Sequence, residues 1–410
     1  MQLSRINSYL YIFFVSILSL IYIMPSVRLF FDYTELAIIS FIFYAIFIFK
    51  GEGFIPIMKI VINLLPYMLV SFLIAKSGNF KLGFLHPLLV TWCMLFPGLL
   101  CKDIIIRNNK REIVLIFIVT MSMLLFVMYN TILAFADSAD IMRELTAVST
   151  MDDEVRISYA NANIGGFGIA YGSGAVVVLL TTFVFNNIKN SVLKVVTYSL
   201  LVFFGYFVLN AQFATLLFLT IFCVFLSLYF SPYGQRNKVP LIFFCLFISF
   251  LIPMLFQFLA NLYSDTTIGD KLIKFNESMF GGGDITRVSG QRSKFQIDSF
   301  KLFLTSPIWG VNITDNLMNA AIYGASHSTM LGVACSTGII GLLSYYKTYW
   351  VVMKPIFKVY DGNDKLYIAL VSYFFCFSIF NPSESTEACW IIFLIVPLLY
   401  NLFNRLNHTI

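Results

Sequence analysis

The sequence predicts an all-α polytopic membrane protein, with about 12 transmembrane helices and a large, partly helical outer loop before the tenth helix. Hydrophobic residues make up 59% of the 410 residues and charged residues only 12%, and the mean hydropathy is +0.84. Apolar runs of roughly 18 to 23 residues recur along the chain, which is the length that a helix needs to cross a hydrocarbon core of about 30 Å. These runs do not alternate between polar and apolar residues as the strands of a membrane barrel do.

The apolar runs define the predicted spans. The first run, from Tyr9 to Met24, resembles a signal peptide because an apolar segment follows a charged one. No small-x-small cleavage site follows it, so we expect it to be retained as the first span. The twelve predicted spans cover residues 9–24, 35–49, 57–75, 84–101, 113–135, 162–186, 192–209, 212–230, 239–260, 328–352, 365–381 and 388–404.

The basic residues predict the orientation of the chain. An even number of spans puts both termini on one side, and if that side is the cytoplasm, sixteen Lys and Arg residues lie in inner segments. Outside the long loop, only five lie in outer segments. Because short cytoplasmic loops carry an excess of Lys and Arg, both termini are predicted to be cytoplasmic.

The chain divides into three parts: residues 1–260 with helices 1 to 9 and an outer loop at 136–160, the outer loop 261–327, and residues 328–410 with helices 10 to 12. The long loop contains a predicted amphipathic helix that ends at Ser306-Pro307. Its apolar residues lie three to four apart, and its polar residues share the opposite face. The apolar residues are Ile297, Phe300, Phe303 and Leu304, and the polar ones are Arg292, Gln296 and Ser299. This helix is expected to lie on the membrane surface or to roof a cavity, with Arg292 toward the polar side.

The sixth span opens with several glycines. They follow Asn161 and Asn163 and include Gly165, Gly168 and Gly172. Glycines at such density let helices approach closely, or they leave room for a ligand at the outer end of the span. The sequence leaves both interpretations open.

His327 is the strongest candidate for chemistry. It is one of three histidines and lies at the predicted outer mouth of the tenth span. Its imidazole can accept a proton from a hydroxyl near neutral pH, and the guanidinium groups of Arg287 and Arg292 upstream are suited to phosphate oxygens. The alternative is an ordinary interfacial histidine.

The sequence lacks the motifs that identify several classes of enzyme. It contains no Gly-x-Ser-x-Gly elbow, no Walker loop, and no cysteine or histidine cluster at metal-ligand spacing, so neither a metal nor another cofactor is expected. The net charge of +6 is small for this length and does not indicate nucleic acid. A base, cationic groups that can bind phosphate and an outward-facing cavity bounded by lipid instead suit transfer from a lipid-linked diphosphate to a hydroxyl acceptor.

Two segments resemble a known family. His327-Ser328 followed nine residues later by Gly338-Ile-Ile-Gly341 resembles the His-(Asn/Ser)-x9-Gly-x-x-Gly signature of the bacterial O-antigen polymerase and O-antigen ligase superfamily. The stretch from Arg292 to Pro307-Ile-Trp-Gly310-Val is similar to the Arg-helix-Pro-x-x-Gly-Val segment of the same superfamily. Together these segments cover about fifty residues, and the span count and the large outer loop also look like this superfamily.

The resemblance implies a C-type glycosyltransferase in the bacterial inner membrane with its active site on the periplasmic side. By that resemblance, His327 is the general base and Arg292 binds undecaprenyl diphosphate. The implied reaction is metal-independent and inverting, and it transfers a growing glycan to the non-reducing end of a new lipid-linked repeat unit. The implied partners are undecaprenyl-diphosphate-linked oligosaccharides and membrane lipid, together with a chain-length regulator and a flippase of the same pathway.

One position departs from the family pattern. Members usually have a second arginine at the start of the eighth span, where this chain has Gln212. Arg287 and Arg156 are the candidates for a second cation, and Ser328, Asn161 and Asn163 are further candidates for substrate binding.

The motifs fit a polymerase of O-antigen or capsular repeat units, and they also fit an O-antigen ligase that transfers glycan to lipid A-core. A lipid-linked oligosaccharide flippase is a third interpretation. It is disfavoured because ion-driven carriers bury ionisable residues near the middle of the bilayer, and the spans contain almost none. A fourth is a catalytically silent membrane partner in the assembly complex.

Overall fold

The regular secondary structure is helical throughout the part of the chain that the computed structural model describes. The described residues are 2–74, 80–136, 141–144, 153–185, 188–211, 213–231, 291–311, 328–357, 366–381 and 385–408, with isolated positions between 236 and 273. The first twelve helices are α1 (Gln2–Ile23), α2 (Pro25–Arg28), α3 (Tyr33–Phe43), α4 (Phe49–Glu52), α5 (Ile55–Ile74), α6 (Phe80–Arg107), α7 (Lys110–Ala134), α8 (Ile141–Glu144), α9 (Asp153–Asn161), α10 (Phe167–Phe185), α11 (Ser191–Asn210) and α12 (Ala214–Phe230). The remaining five are α13 (Gln291–Thr305), α14 (Thr329–Phe357), α15 (Leu366–Phe380), α16 (Thr386–Trp390) and α17 (Val396–His408). Short π-helical turns, Tyr44–Ile48 and Ile391–Ile395, join α3 to α4 and α16 to α17.

The predicted fold class is confirmed as an all-α membrane protein. Among the described residues, seven helices are long and apolar enough to cross a membrane, and four shorter apolar helices accompany them. Eleven predicted spans coincide with these helices, whereas the ninth, 239–260, lies almost wholly outside the described residues. The count of twelve crossings therefore stays a prediction.

Helix α10 is the central helix of the core. It is buried along most of its length and packs against α11, α12 and α16. A Cβ atom at Gly168 would collide with Ser385, and one at Gly172 would collide with Ile391. The glycines of the sixth span therefore allow close helix packing, which is one of the two alternatives that the sequence left open.

Buried acidic side chains lie where α6 ends and α7 begins. The carboxylate of Asp103 accepts hydrogen bonds from the Tyr11 hydroxyl (2.7 Å) and from Nε of Arg107 (2.7 Å). Glu112, in the first turn of α7, accepts a hydrogen bond from Ser8. Both acids lie within about two turns of a helix end. Because they accept hydrogen bonds from Tyr11 and Ser8 of α1, they join α1, α6 and α7 at one end of the bundle.

We expect Asp103→Ala to lower the melting temperature of the purified protein by several degrees. The substitution leaves the buried Tyr11 hydroxyl without its acceptor, which costs about 1–3 kcal/mol for a buried polar group, and it removes the acceptor of Nε of Arg107. Asp103→Asn keeps an acceptor oxygen for Tyr11 and should have a smaller effect. Equal melting temperatures for wild type and Asp103→Ala would show that the network contributes nothing to stability.

Candidate functional site

Ser328 begins the helix that follows the predicted base. Its side chain is fully buried, its Oγ accepts a hydrogen bond from the backbone N–H of Leu331 (3.1 Å), and it donates to the carbonyl oxygen of Ser378 (3.3 Å). An N-cap serine satisfies one of the free N–H groups at a helix start. His327 lies outside the described residues, but the next residue in the chain is fixed against the end of α15.

Asn381 is a further candidate site residue, which the sequence did not indicate. It is 2% exposed, and its carbonyl oxygen accepts a hydrogen bond from the N–H of Thr329 (3.3 Å). Its side-chain Nδ2 is buried and has no hydrogen-bond partner among the described residues. The available signal was an asparagine directly after the apolar helix α15, because an amide at that place requires a partner. An amide donor beside the start of α14 can bind an oxygen atom of a ligand.

The tenth predicted span is two helices rather than one. Gly338 has φ 63° and ψ −165°, and it separates residues 329–337 from residues 339–357. Ser328 and Tyr346 both contact Ser378, the latter through its hydroxyl at 2.7 Å. In a straight helix, Ser328 and Tyr346 would be about 27 Å apart along the axis. Their contact with the same residue therefore agrees with a break between them. The 19 residues after the break, about 28 Å of helix, are long enough to span the membrane alone.

The turn that follows α13, residues 307–311, packs against this break, and we call this contact the seat. The N–H of Ile339 donates to the carbonyl of Pro307 (2.8 Å), and the N–H of Val311 donates to the carbonyl of Cys335 (2.7 Å). An interrupted helix leaves backbone groups without their usual partners, and buried backbone groups require partners. The turn at residues 307–311 supplies two of them.

The seat requires glycine on both sides. Gly310 has φ 80°, and a Cβ there would lie 2.5 Å from the backbone of Ser336 and of Thr337. A Cβ at Gly338 would overlap the backbone of Ile308. The two matched segments, Pro-x-x-Gly and Gly-x-x-Gly, therefore pack against each other through these glycines, a contact that the sequence alone did not predict.

Helix α13 also packs directly on α14. The thiol of Cys335 donates to the carbonyl of Ser299 (2.9 Å), and Ser299 is fully buried. Arg292 lies in the first turn of α13, seven residues or about 10 Å of helix from Ser299. Its side chain lies outside the described residues. Ser328 is likewise seven residues from Cys335. Arg292 and Ser328 are therefore each about 10 Å of helix away from the contact between Ser299 and Cys335.

One residue of the predicted polar face of α13 is buried in the helix contact. Ser299, which was expected to share that face with Arg292, packs against α14. The apolar side chains of Ile297, Phe300 and Leu304 are 53%, 52% and 57% exposed. The reason is that helix contacts in membranes favour small residues that let backbones approach, while large apolar side chains remain stable in lipid.

The other candidate residues are distributed as follows. Asn163 has φ 56°, and its Oδ1 accepts hydrogen bonds from the N–H (3.2 Å) and the hydroxyl (2.6 Å) of Ser26, so it ties the loop before α10 to α2. Arg156 is half-buried and Asn161 is exposed, both in α9. Arg287 and Gln212 lie outside the described residues, and all of these roles stay predictions.

No group of three or more His, Cys, Asp or Glu residues in the described part of the chain is arranged to hold a metal ion. No protein-family model matches this chain, and a comparison with curated proteins finds no significant match.

Proposed function

We propose that this chain is a polymerase of lipid-linked glycan repeat units in a bacterial inner membrane. It transfers a growing glycan from undecaprenyl diphosphate to the non-reducing end of a new lipid-linked repeat unit. The proposal rests on the resemblance of two segments to the O-antigen polymerase and ligase superfamily and on the contact between those same segments.

The observation that carries the proposal is the seat formed by Pro307, Gly310 and Gly338. The first two belong to the segment that begins with Arg292, and the third belongs to the segment that begins with His327. In each segment, a glycine lies against the backbone of the other segment. Such a contact is expected if both segments serve one site.

In the proposed reaction, His327 removes the proton from the acceptor hydroxyl as its oxygen attacks the anomeric carbon of the donor glycan. The bond between that carbon and the diphosphate oxygen breaks, and undecaprenyl diphosphate leaves with the bonding electron pair. Attack from the face opposite the leaving group inverts the anomeric centre. Arg292 stabilises the charge on the departing diphosphate.

Purified protein in proteoliposomes with lipid-linked repeat units tests this function. The polymerase proposal predicts a ladder of elongated lipid-linked glycan from that substrate alone. Transfer only onto added lipid A-core would identify a ligase instead. Movement of the substrate between leaflets without any new glycosidic bond would identify a flippase.

Arg292→Lys should lower the rate of chain elongation strongly, by about 10-fold or more. Lysine keeps the positive charge but lacks the planar fork that binds two phosphate oxygens at once. The measurement is the initial rate at several donor concentrations. Lys301→Arg, an exposed position on the same helix, is the matched control. Rates for Arg292→Lys within twofold of wild type would remove this arginine from the site.

A further inference from the structure

A cavity lined by three lysines lies at the far end of α14 from the candidate site. It measures about 800 Å³ and lies between α5, α6 and α14 as an open cleft. Lys59, Lys102 and Lys354 come from these three different helices, and a neighbouring pocket of 270 Å³ shares the first two. Lys354 is 16 residues beyond Gly338, which is about 24 Å of helix. The cavity is therefore separate from the proposed site of glycan transfer.

The charged residues that line the cavity, among those that the structure describes, are all lysines. None of the described residues that line either pocket is acidic, and Asn63 adds a side-chain amide to the larger pocket. Because three helices each contribute a lysine to the same cavity, an anion that enters it is attracted by the local positive potential.

The walls indicate what kind of anion fits. Ile105, Ile106, Val351 and Pro355 line the larger pocket together with Trp350. Ile106 is 61% exposed and Trp350 is 41% exposed, so the cavity has apolar walls that open to the surroundings of the bundle. A free anion would gain nothing from such walls, whereas a lipid can place its phosphate among the lysines and its chains along the apolar residues.

We propose that this cavity binds the phosphate-bearing head group of an anionic membrane lipid. The positive-inside distribution of basic residues assigns this end of the bundle to the cytoplasmic leaflet. Three ammonium groups favour a head group with two phosphates over one with a single phosphate. This inference does not depend on the glycan-transfer function.

Native mass spectrometry of the detergent-purified protein tests the proposal, with cardiolipin, phosphatidylglycerol and phosphatidylcholine added in turn. We expect wild type to retain cardiolipin best and phosphatidylcholine least. The triple variant Lys59→Gln, Lys102→Gln, Lys354→Gln should lose at least 10-fold in cardiolipin affinity. A matched triple variant, with glutamine at the exposed Lys110, Lys189 and Lys194, should bind as wild type does.

Two results would overturn the proposal. The first is equal loss of cardiolipin in both triple variants, since that would mean non-specific attraction to the basic side of the protein. The second is binding of soluble pyrophosphate with the affinity of cardiolipin, since the ligand would then be a free phosphate compound and not a lipid.

Tryptophan fluorescence tests the proposal even if the triple variant does not fold. Trp350 lines the cavity, so cardiolipin with brominated chains should quench tryptophan fluorescence in wild type. The quenched fraction should fall in Trp350→Phe, while Trp92→Phe, which lies outside this cavity, should leave the Trp350 component in place. Identical quenching of wild type and Trp350→Phe would contradict a lipid in this cavity.

Discussion

Replacing His327 with alanine should reduce chain elongation by 10²-fold to 10⁴-fold, which is the range that a positioned general base contributes. The acceptor hydroxyl is a poor nucleophile until its proton is removed, and no other group is proposed to remove it. The measurement is the amount of elongated lipid-linked glycan formed by purified protein in proteoliposomes. His408→Ala, in the last helix, is the matched control and should retain wild-type activity.

The same variant distinguishes catalysis from folding. His327→Ala should insert in the membrane and elute from a size-exclusion column as wild type does. A histidine that acts as a base must be neutral, so the wild-type rate should also fall as the pH is lowered. If His327→Ala forms polymer at a rate within twofold of wild type, the proposed mechanism is wrong, and a silent partner in the assembly complex becomes the better interpretation.

The second large effect is expected for Gly338→Ala. The backbone at this residue occupies a region that is essentially restricted to glycine, which costs other residues about 1–3 kcal/mol. The added Cβ would also overlap the backbone of Ile308. Both effects displace the turn at residues 307–311, so we expect a melting temperature several degrees lower and a loss of most elongation activity.

The matched control for Gly338→Ala is Gly205→Ala. Gly205 lies inside α11 and has no neighbouring atom within 4 Å of a Cβ built on it. Alanine there should be neutral or stabilising by up to about 1 kcal/mol, because it favours a helix over glycine. Comparable losses in the two variants would show that the seat on α14 has no special role.

The membrane spans could be predicted from the sequence because a bilayer imposes a local requirement. Any segment that crosses it needs about 20 apolar residues in a helix that satisfies its own backbone hydrogen bonds. Spans such as 113–135 and 192–209 therefore match α7 and α11 closely. No contact with another part of the chain is needed to recognise them.

The candidate site could be predicted only in part. His327 and Arg292 were identified by residue type and by resemblance, and both motif segments turned out to contact each other. Asn381 was missed because one asparagine after an apolar helix is an ordinary end of a span. Its importance follows from its contact with Thr329, which is more than fifty residues away in the chain.

The sequence by itself determined the fold class and the location of most helices that could cross a membrane, because these depend on local composition and on the solvent. Only the tertiary structure decided the break at Gly338, the burial of Ser299 and the meeting of three lysines in one cavity. The physical reason is that glycine permits a straight helix as well as a broken one. The broken form is the one that accommodates the turn at residues 307–311, because a Cβ atom at Gly310 or Gly338 would collide with the opposite backbone.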